Sequence, residues 1–226
     1  MPPSLTSPLP AFHRTRIKVC GLTREADFDA AVESGADAIG FVLYPKSPRH
    51  VPLDRAAELA RRLPPFVTPV VLLVNADAAL AAQVRHTLPQ ALLQFHGDET
   101  PGDCAALAAG QPFIRAARMA PGFDLLDFAS SYVDAQALLV DAHVEGYGGG
   151  GQVFDWSLLP TGLSRPMILS GGLHPGNVEE GVRRVRPWAV DVSSGVEASK
   201  GIKDAALMRR FCEAVRTADR LCAETV

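Results

Sequence analysis

The chain has 226 residues, 47% hydrophobic and 7% aromatic, with 25 acidic against 22 basic side chains and a net charge of -3. Those values fit one globular α/β domain built on a single large core. A near-balanced charge without a basic stripe argues against a nucleic-acid partner, and prolines and charges interrupt every apolar run before it could span a bilayer.

Residues 1–15 read as a flexible tail, with Pro2, Pro3, Pro8 and Pro10 among serines and threonines. They lack the basic-then-apolar order of a secretory signal. From residue 16 to 226 one pattern repeats: a short apolar run, a polar loop, then an alanine-rich helical stretch. Ile17–Cys20 is the first strand and Arg24–Ser34 the first helix, with Thr23 as its expected cap and Gly35 as its end. Ala38–Leu43 is the second strand, with Gly40 making room for a neighbour. Pro52–Leu63 is the second helix, Val67–Val74 strand three, Asp77–Leu88 helix three, and Ala91–Phe95 strand four. Pro101–Ala109, Phe113–Ala116, Phe123–Ser130 and Ala137–Val140 continue the alternation. After a glycine loop at Gly146–Gly151 come a brief helix near Trp156, strand seven at Met167–Leu169, a helix at Asn177–Val185, strand eight at Ala189–Val192, and a terminal helix from Lys203 to about Ala223.

Continuous apolar strands, rather than alternating ones, indicate a parallel sheet covered by helices. Eight such units in this length favour a closed (β/α)8 barrel, a TIM barrel in one domain. An open doubly wound sheet is the competitor. No glycine-rich dinucleotide or P-loop fingerprint follows the first strand, which counts against it.

In such a barrel, polar residues at the C-terminal ends of the strands face one mouth. Ser170-Gly171-Gly172 closes strand seven and Ser193-Ser194-Gly195 closes strand eight. Both offer exposed backbone N–H groups where a phosphate monoester is usually held. Gly149, in the run Gly148–Gly151, is either part of that anion nest or of a mobile lid. Cys20 ends strand one beside Lys18 and Gly21, and reads either as a small buried hydrophobe or as a nucleophile or proton acceptor near a cation. Asp141 follows a buried strand, where an unpartnered carboxylate is costly. It reads as a proton donor or as a structural acceptor of loop N–H groups. Asp191 competes for that role or pairs with Lys18 or Arg115 inside the barrel. Arg49, in a loop whose two prolines, Pro45 and Pro48, restrict the backbone, suits carboxylate recognition if it is not simply solvated. His96 and Arg115 complete the rim candidates, with His96 and Lys18 as lining groups.

Taken in order, these pieces resemble the phosphoribosylanthranilate isomerase family of tryptophan biosynthesis. The matching segments are Lys18-Val19-Cys20-Gly21-Leu22, Gly40-Phe41-Val42, Ser47-Pro48-Arg49, Leu93-Gln94-Phe95-His96-Gly97, Leu139-Val140-Asp141, Phe154-Asp155-Trp156, Leu169-Ser170-Gly171-Gly172-Leu173 and Asp191-Val192-Ser193-Ser194-Gly195-Val196-Glu197. They cover nearly the whole chain. The resemblance implies an Amadori rearrangement of N-(5-phosphoribosyl)anthranilate to 1-(2-carboxyphenylamino)-1-deoxyribulose 5-phosphate, with no metal or cofactor. It places the general base on Cys20, the general acid on Asp141, contact with the anthranilate carboxylate on Arg49, and phosphate binding on Gly149, Gly171, Gly172, Ser194 and Gly195. For Asp141 to act as the acid it must hold its proton, which calls for a raised pKa.

Two departures from the family pattern stand out. Gly150 occupies the place of a hydroxyl residue in loop six, and Lys200 replaces a proline before Gly201. Neither removes a proposed catalytic group. Rival readings are a ketol isomerase of histidine biosynthesis, which would want an aspartate where Cys20 stands, a metal-dependent ribulose-phosphate epimerase, and a catalytically dead phosphate-binding barrel. The four dispersed cysteines, with no CxxC pair, are expected to be reduced thiols of a cytoplasmic protein. A small phosphorylated sugar conjugate is the expected partner, with no nucleic acid, membrane or obligate protein partner.

Overall fold

Strand β1 (Arg16–Cys20) pairs in parallel with both β2 (Ala38–Val42) and β8 (Ala189–Val192), and this double pairing closes the sheet into an eight-stranded barrel. The structure is a computed structural model and describes residues 14–142 and 154–224. Around the ring follow β3 (Thr68–Leu73), β4 (Leu92–Phe95), β5 (Phe113–Met119), β6 (Ala137–Ala142) and β7 (Met167–Leu169). The covering helices are α1 (Glu25–Ser34), α2 (Leu53–Ala60), α3 (Ala78–Thr87), α4 (Pro101–Ala108), α5 (Leu125–Ser131), α6 (Val178–Val185) and α7 (Ala205–Ala223). In the described part of the β6–β7 connection the helical element is a single 3-10 turn, Trp156–Leu158.

Alternate residues of a strand face opposite sides of the sheet, and here the two faces have different jobs. Val70, Ile114, Leu139 and Ile168 point inward and fill the barrel. Phe41, Phe95, Leu138 and Val190 point outward and join Phe28, Val182 and Phe211 from the helices in the main core. Above the inward cluster, Cys20, Val42, Leu72 and Val74 form a small apolar collar at the C-terminal end. Everything polar that faces inward above the packed layer therefore opens at one mouth.

Local chemistry explains most element ends. Thr100 and Asp103 form a reciprocal capping box on α4, with Pro101 in the first turn. Asp77, Asp124 and Asp204 cap α3, α5 and α7 with side-chain oxygens. The expected cap on α1 is different. Arg24 holds the N-cap position without a side-chain bond, and Thr23 Oγ1 instead donates to the carbonyl of Gly201, 3.1 Å away. Strands β5 and β6 also run further than their apolar cores, so Asp141 lies within the last turn of pleat rather than beyond it. A two-stranded hairpin absent from the sequence reading, β9 (Glu197–Ser199) with β10 (Ile202–Lys203), stands between β8 and α7.

Candidate active site

Lys18 and Cys20 both face inward on β1, one pleat apart. Lys18 Nζ donates to Asp191 Oδ1 at 2.8 Å, and Ser170 Oγ reaches Asp191 Oδ2 at 3.3 Å. Asp191 thus pairs with Lys18, one of the two partners expected for it. A Cβ added to Gly40 would lie 2.7 Å from Cys20 Sγ and 3.1 Å from Lys18 Nζ, so glycine on β2 leaves the thiol and the ammonium their shared space. Burial pushes the Cys20 thiol up, the Lys18 cation opposes that rise, and the Asp191 carboxylate adds to it. Burial also works against the Lys18 charge, but Asp191 and Cys20 outweigh it and hold the ammonium firmly protonated. Cys20 therefore rests as a thiol beside a fixed positive charge.

Asp141 lies across the mouth on β6, 7% exposed against 4% for Cys20. Its Oδ1 accepts the following amide, Ala142 N, at 2.9 Å. Its Oδ2 is 3.3 Å from His96 Nε2, without the alignment of a hydrogen bond, so Nε2 counts among the buried atoms left unsatisfied. The other ring nitrogen, Nδ1, lies 2.9 Å from Gln94 Nε2. A Cβ on Gly171 would fall 3.1 Å from Asp141 Oδ1. Contacts therefore run unbroken from Asp141 through the Gly171 turn and Ser170 to Asp191, Lys18 and Cys20.

Arg49 is neither solvated nor free. It is buried, and its Nε and Nη2 donate to Glu197 Oε1 and Oε2 at 2.7 and 2.9 Å. The second buried cation on that carboxylate is Lys203, whose Nζ reaches Glu197 Oε1 at 2.8 Å and the Ser193 carbonyl at 3.0 Å. Burial pulls the Lys203 ammonium down despite Glu197. Glu197 is held below its usual range because Arg49 and Lys203 overcome the opposing effect of burial. A side-on pair through Nε and Nη2 leaves the Nη1 end of the guanidinium for another acceptor. Gly21, at φ +77°, admits the Arg49 stem: a Cβ there would sit 2.6 Å from Arg49 Cδ.

The two small-residue turns meet each other. Gly171 and Gly172 both have positive φ, +80° and +62°, a backbone form that glycine adopts without steric cost. Ser194–Val196 is a 3-10 turn directly after β8, and a Cβ on Gly195 would strike the Leu173 carbonyl at 1.9 Å. Asn177 ties the β7 turn down, accepting from His174 N and donating to the Gly172 carbonyl. Gly149 and the Gly148–Gly151 run lie outside the described residues. Among the described residues no cluster of three or more His, Cys, Asp or Glu could hold a metal ion.

One rim candidate is displaced. Arg115 points outward, not into the mouth: it donates to the carbonyls of Phe95, Gly97 and Glu99 and lies over the rings of Phe128 and Tyr132. Parity is the reason, since Ile114 and Ala116 face inward and their neighbour cannot. The inward arginine of β5 is Arg118, ion-paired with Asp98. Glu197, Lys203, Gln94 and Arg118 were all missed as members of the site. The pleat parity that misplaces Arg115 could have found Gln94 and Arg118.

Fold and mouth together are those of a (β/α)8-barrel enzyme. The family model for N-(5'-phosphoribosyl)anthranilate isomerase matches residues 17–214. The chain belongs to that family. It is 68% identical over 206 residues to the N-(5'-phosphoribosyl)anthranilate isomerase of Leptothrix cholodnii, covering 91% of this chain and 93% of the relative. With the enzyme of that name from Pseudomonas aeruginosa it shares 53% identity over 206 residues, 91% of this chain and 97% of the relative. Among solved structures, phosphoribosyl anthranilate isomerase from Thermotoga maritima superimposes with a TM-score of 0.83 at 39% identity, over 90% of this chain and 99% of that one. Another phosphoribosyl anthranilate isomerase, solved with reduced 1-(o-carboxyphenylamino)-1-deoxyribulose 5-phosphate, gives a TM-score of 0.78 at 36% identity over 90% of this chain and 99% of that one.

Proposed function

We propose that this chain catalyses the Amadori rearrangement of N-(5'-phosphoribosyl)anthranilate to 1-(2-carboxyphenylamino)-1-deoxyribulose 5-phosphate, with residues 16–226 as the catalytic barrel. Family membership carries the reaction, and the convergence of Cys20 and Asp141 on one mouth supports the roles. Asp141 donates a proton to the ribose ring oxygen as the C1–O bond breaks, while the anilinic nitrogen lone pair forms the C1=N iminium. The iminium acidifies the hydrogen on C2. Cys20, after losing its thiol proton to solvent with the Lys18 cation favouring the thiolate, removes it, the C2–H electrons become the C1=C2 bond, and the C=N pair returns to nitrogen, giving the enolamine. Loss of the O2 proton and gain of one at C1 complete the ketone. Every atom of the substrate is retained.

Arg49 offers its Nη1 end to the anthranilate carboxylate while Glu197 holds the other edge. The Gly171-Gly172 and Ser194-Gly195 turns hold the phosphate through backbone N–H groups, with Gly149 contributing from loop six. Anchoring both ends keeps the open-chain intermediate in register between acid and base. The partner is this small phosphorylated conjugate, without nucleic acid, membrane or obligate protein partner, and the site of action is the cytoplasm. Among the described residues no helix is long and apolar enough to cross a membrane.

The test is a fluorescence assay of substrate consumption by wild type, Cys20→Ser and Asp141→Asn. Each variant should stay folded and lose about 10²–10⁴-fold or more in kcat. A kcat close to wild type in either one removes that residue from its role.

A further inference from the structure

We propose that Gln94, His96 and Asp141 form a proton relay in which the imidazole, oriented by the Gln94 amide, holds in place the proton that Asp141 delivers. The relay deepens the reading above and rests on Asp141 being the general acid. Gln94 and His96 face the barrel interior because Leu93 and Phe95 between and before them belong to the outer core. The three side chains form one chain of contacts: 2.9 Å from the amide to His96 Nδ1, then 3.3 Å from His96 Nε2 to Asp141 Oδ2. Gln94 is fully buried and His96 almost so.

Two buried polar atoms in this row of three side chains lack hydrogen-bond partners, Gln94 Oε1 and His96 Nε2. Buried polar atoms are rarely left so, and here both belong to groups whose proton positions can change in concert. With the amide N–H donating to Nδ1, the neutral ring carries its hydrogen on Nε2. Asp141 can then only accept, and has no proton to give. A half-turn of the amide, which preserves its shape, puts Oε1 against Nδ1–H instead. Nε2 becomes a lone pair facing Oδ2, and a protonated Asp141 donates to it once a small shift aligns the 3.3 Å contact. Only this second arrangement arms the acid.

An imidazole lone pair facing a carboxyl group can accept its proton, whereas a carboxylate facing an N–H has none to offer. Among the described residues, the other charges around the pair are matched. From β1 and β8, Lys18 is countered by Asp191, with the Cys20 thiol beside them. From β5, Arg118 is engaged by Asp98. On the far side of the wall Arg115 and Glu99 face each other. From the β7 turn the Gly171 backbone packs against Asp141, where a Cβ would fall 3.1 Å from Oδ1. His96 is therefore a positioning residue that acts through Asp141.

The experiment compares kcat/KM across pH for wild type and His96→Gln, whose amide keeps polarity but cannot take up a proton. Because the acid must be protonated to act, removing the imidazole acceptor costs more as pH rises. The wild-type to variant ratio should grow about tenfold or more between about pH 5.5 and 8. A ratio independent of pH, with the variant folded, overturns the relay. A second measurement needs no variant of the relay: ¹⁵N NMR of the wild-type histidine rings reads the tautomer directly. His96 protonated on Nδ1 at the working pH supports the proposal, and a ring protonated only on Nε2 overturns it. Asp141→Asn separates the two levels. Wild-type-like turnover there removes the acid itself and the relay with it, whereas a dead Asp141→Asn beside a pH-independent His96→Gln ratio removes the relay alone.

Discussion

At Cys20 two opposing influences meet on one sulfur. Burial favours the thiol and the Lys18 ammonium favours the thiolate, while Lys18 itself keeps its charge because Asp191 and Cys20 answer it. In the role proposed for it Cys20 works only as thiolate, so the sign is fixed. Removing the ammonium raises the thiol further above its usual value and lowers the thiolate fraction at any pH below it. Lys18→Gln should reduce kcat/KM by about 10–100-fold near neutral pH, with the deficit shrinking as the medium is made alkaline. A pH–rate profile checks this, and an equal loss at every pH would move Lys18 out of that role. At this scale the sequence was legible wherever a polar residue ends an apolar run, as Cys20 and Asp141 do. It was illegible where parity decides, as in Arg115 against Arg118. It was also illegible where a partner comes from far along the chain: Glu197 is 148 residues from Arg49.

The hairpin β9–β10 is the element with the largest effect on the site for its size. It carries Glu197 and Lys203 and touches three other pieces of chain. Thr23 holds the Gly201 carbonyl, the Asp27 carboxylate in α1 accepts from Lys203 N, and Gly201 packs where a Cβ would be 2.6 Å from the Pro48 carbonyl. In its proposed role of binding the substrate carboxylate, Arg49 is thus aimed by a clamp assembled beforehand, which lowers the ordering cost of binding. Glu197→Gln removes the charge that aligns two buried cations. It should raise KM by about tenfold, the loss of one charge-assisted interaction worth about 1.4 kcal/mol, with kcat changed far less. Steady-state kinetics decide: a fall in kcat at constant KM would assign the hairpin to chemistry instead. Its strands have no apolar repeat to announce them, being Glu-Ala-Ser and Ile-Lys. By contrast β7 and β8 match their apolar runs to the residue, because Pro166 and a Ser-Gly turn bound the first and Trp188 and a serine pair bound the second.

For the molecule as a whole, the closing seam lies between the first and last strands, and α7 covers it. α7 packs against α1 and α6 and fastens the entry to β1 through Asp219, whose carboxylate accepts Thr15 N at 2.9 Å and Thr15 Oγ1 at 2.7 Å. Asp219→Ala would leave two buried donors unpaired. The expected cost is about 2–3 kcal/mol, or roughly 4–10 °C in Tm for a chain this size, with kcat unchanged. A thermal melt with unaltered Tm would show that the seam is held by packing alone. The closed eightfold topology itself was readable, since each unit repeats the same apolar-then-alanine pattern. The fastening of the seam was not, because it joins residues 204 positions apart. That seam also makes turnover a proof of completeness. The proposed base arrives with the first strand and the last turn proposed for phosphate with the eighth, so on that reading a nascent chain stalled anywhere between them has half a mouth and no catalysis, and a single assay on crude material counts only molecules that have finished folding.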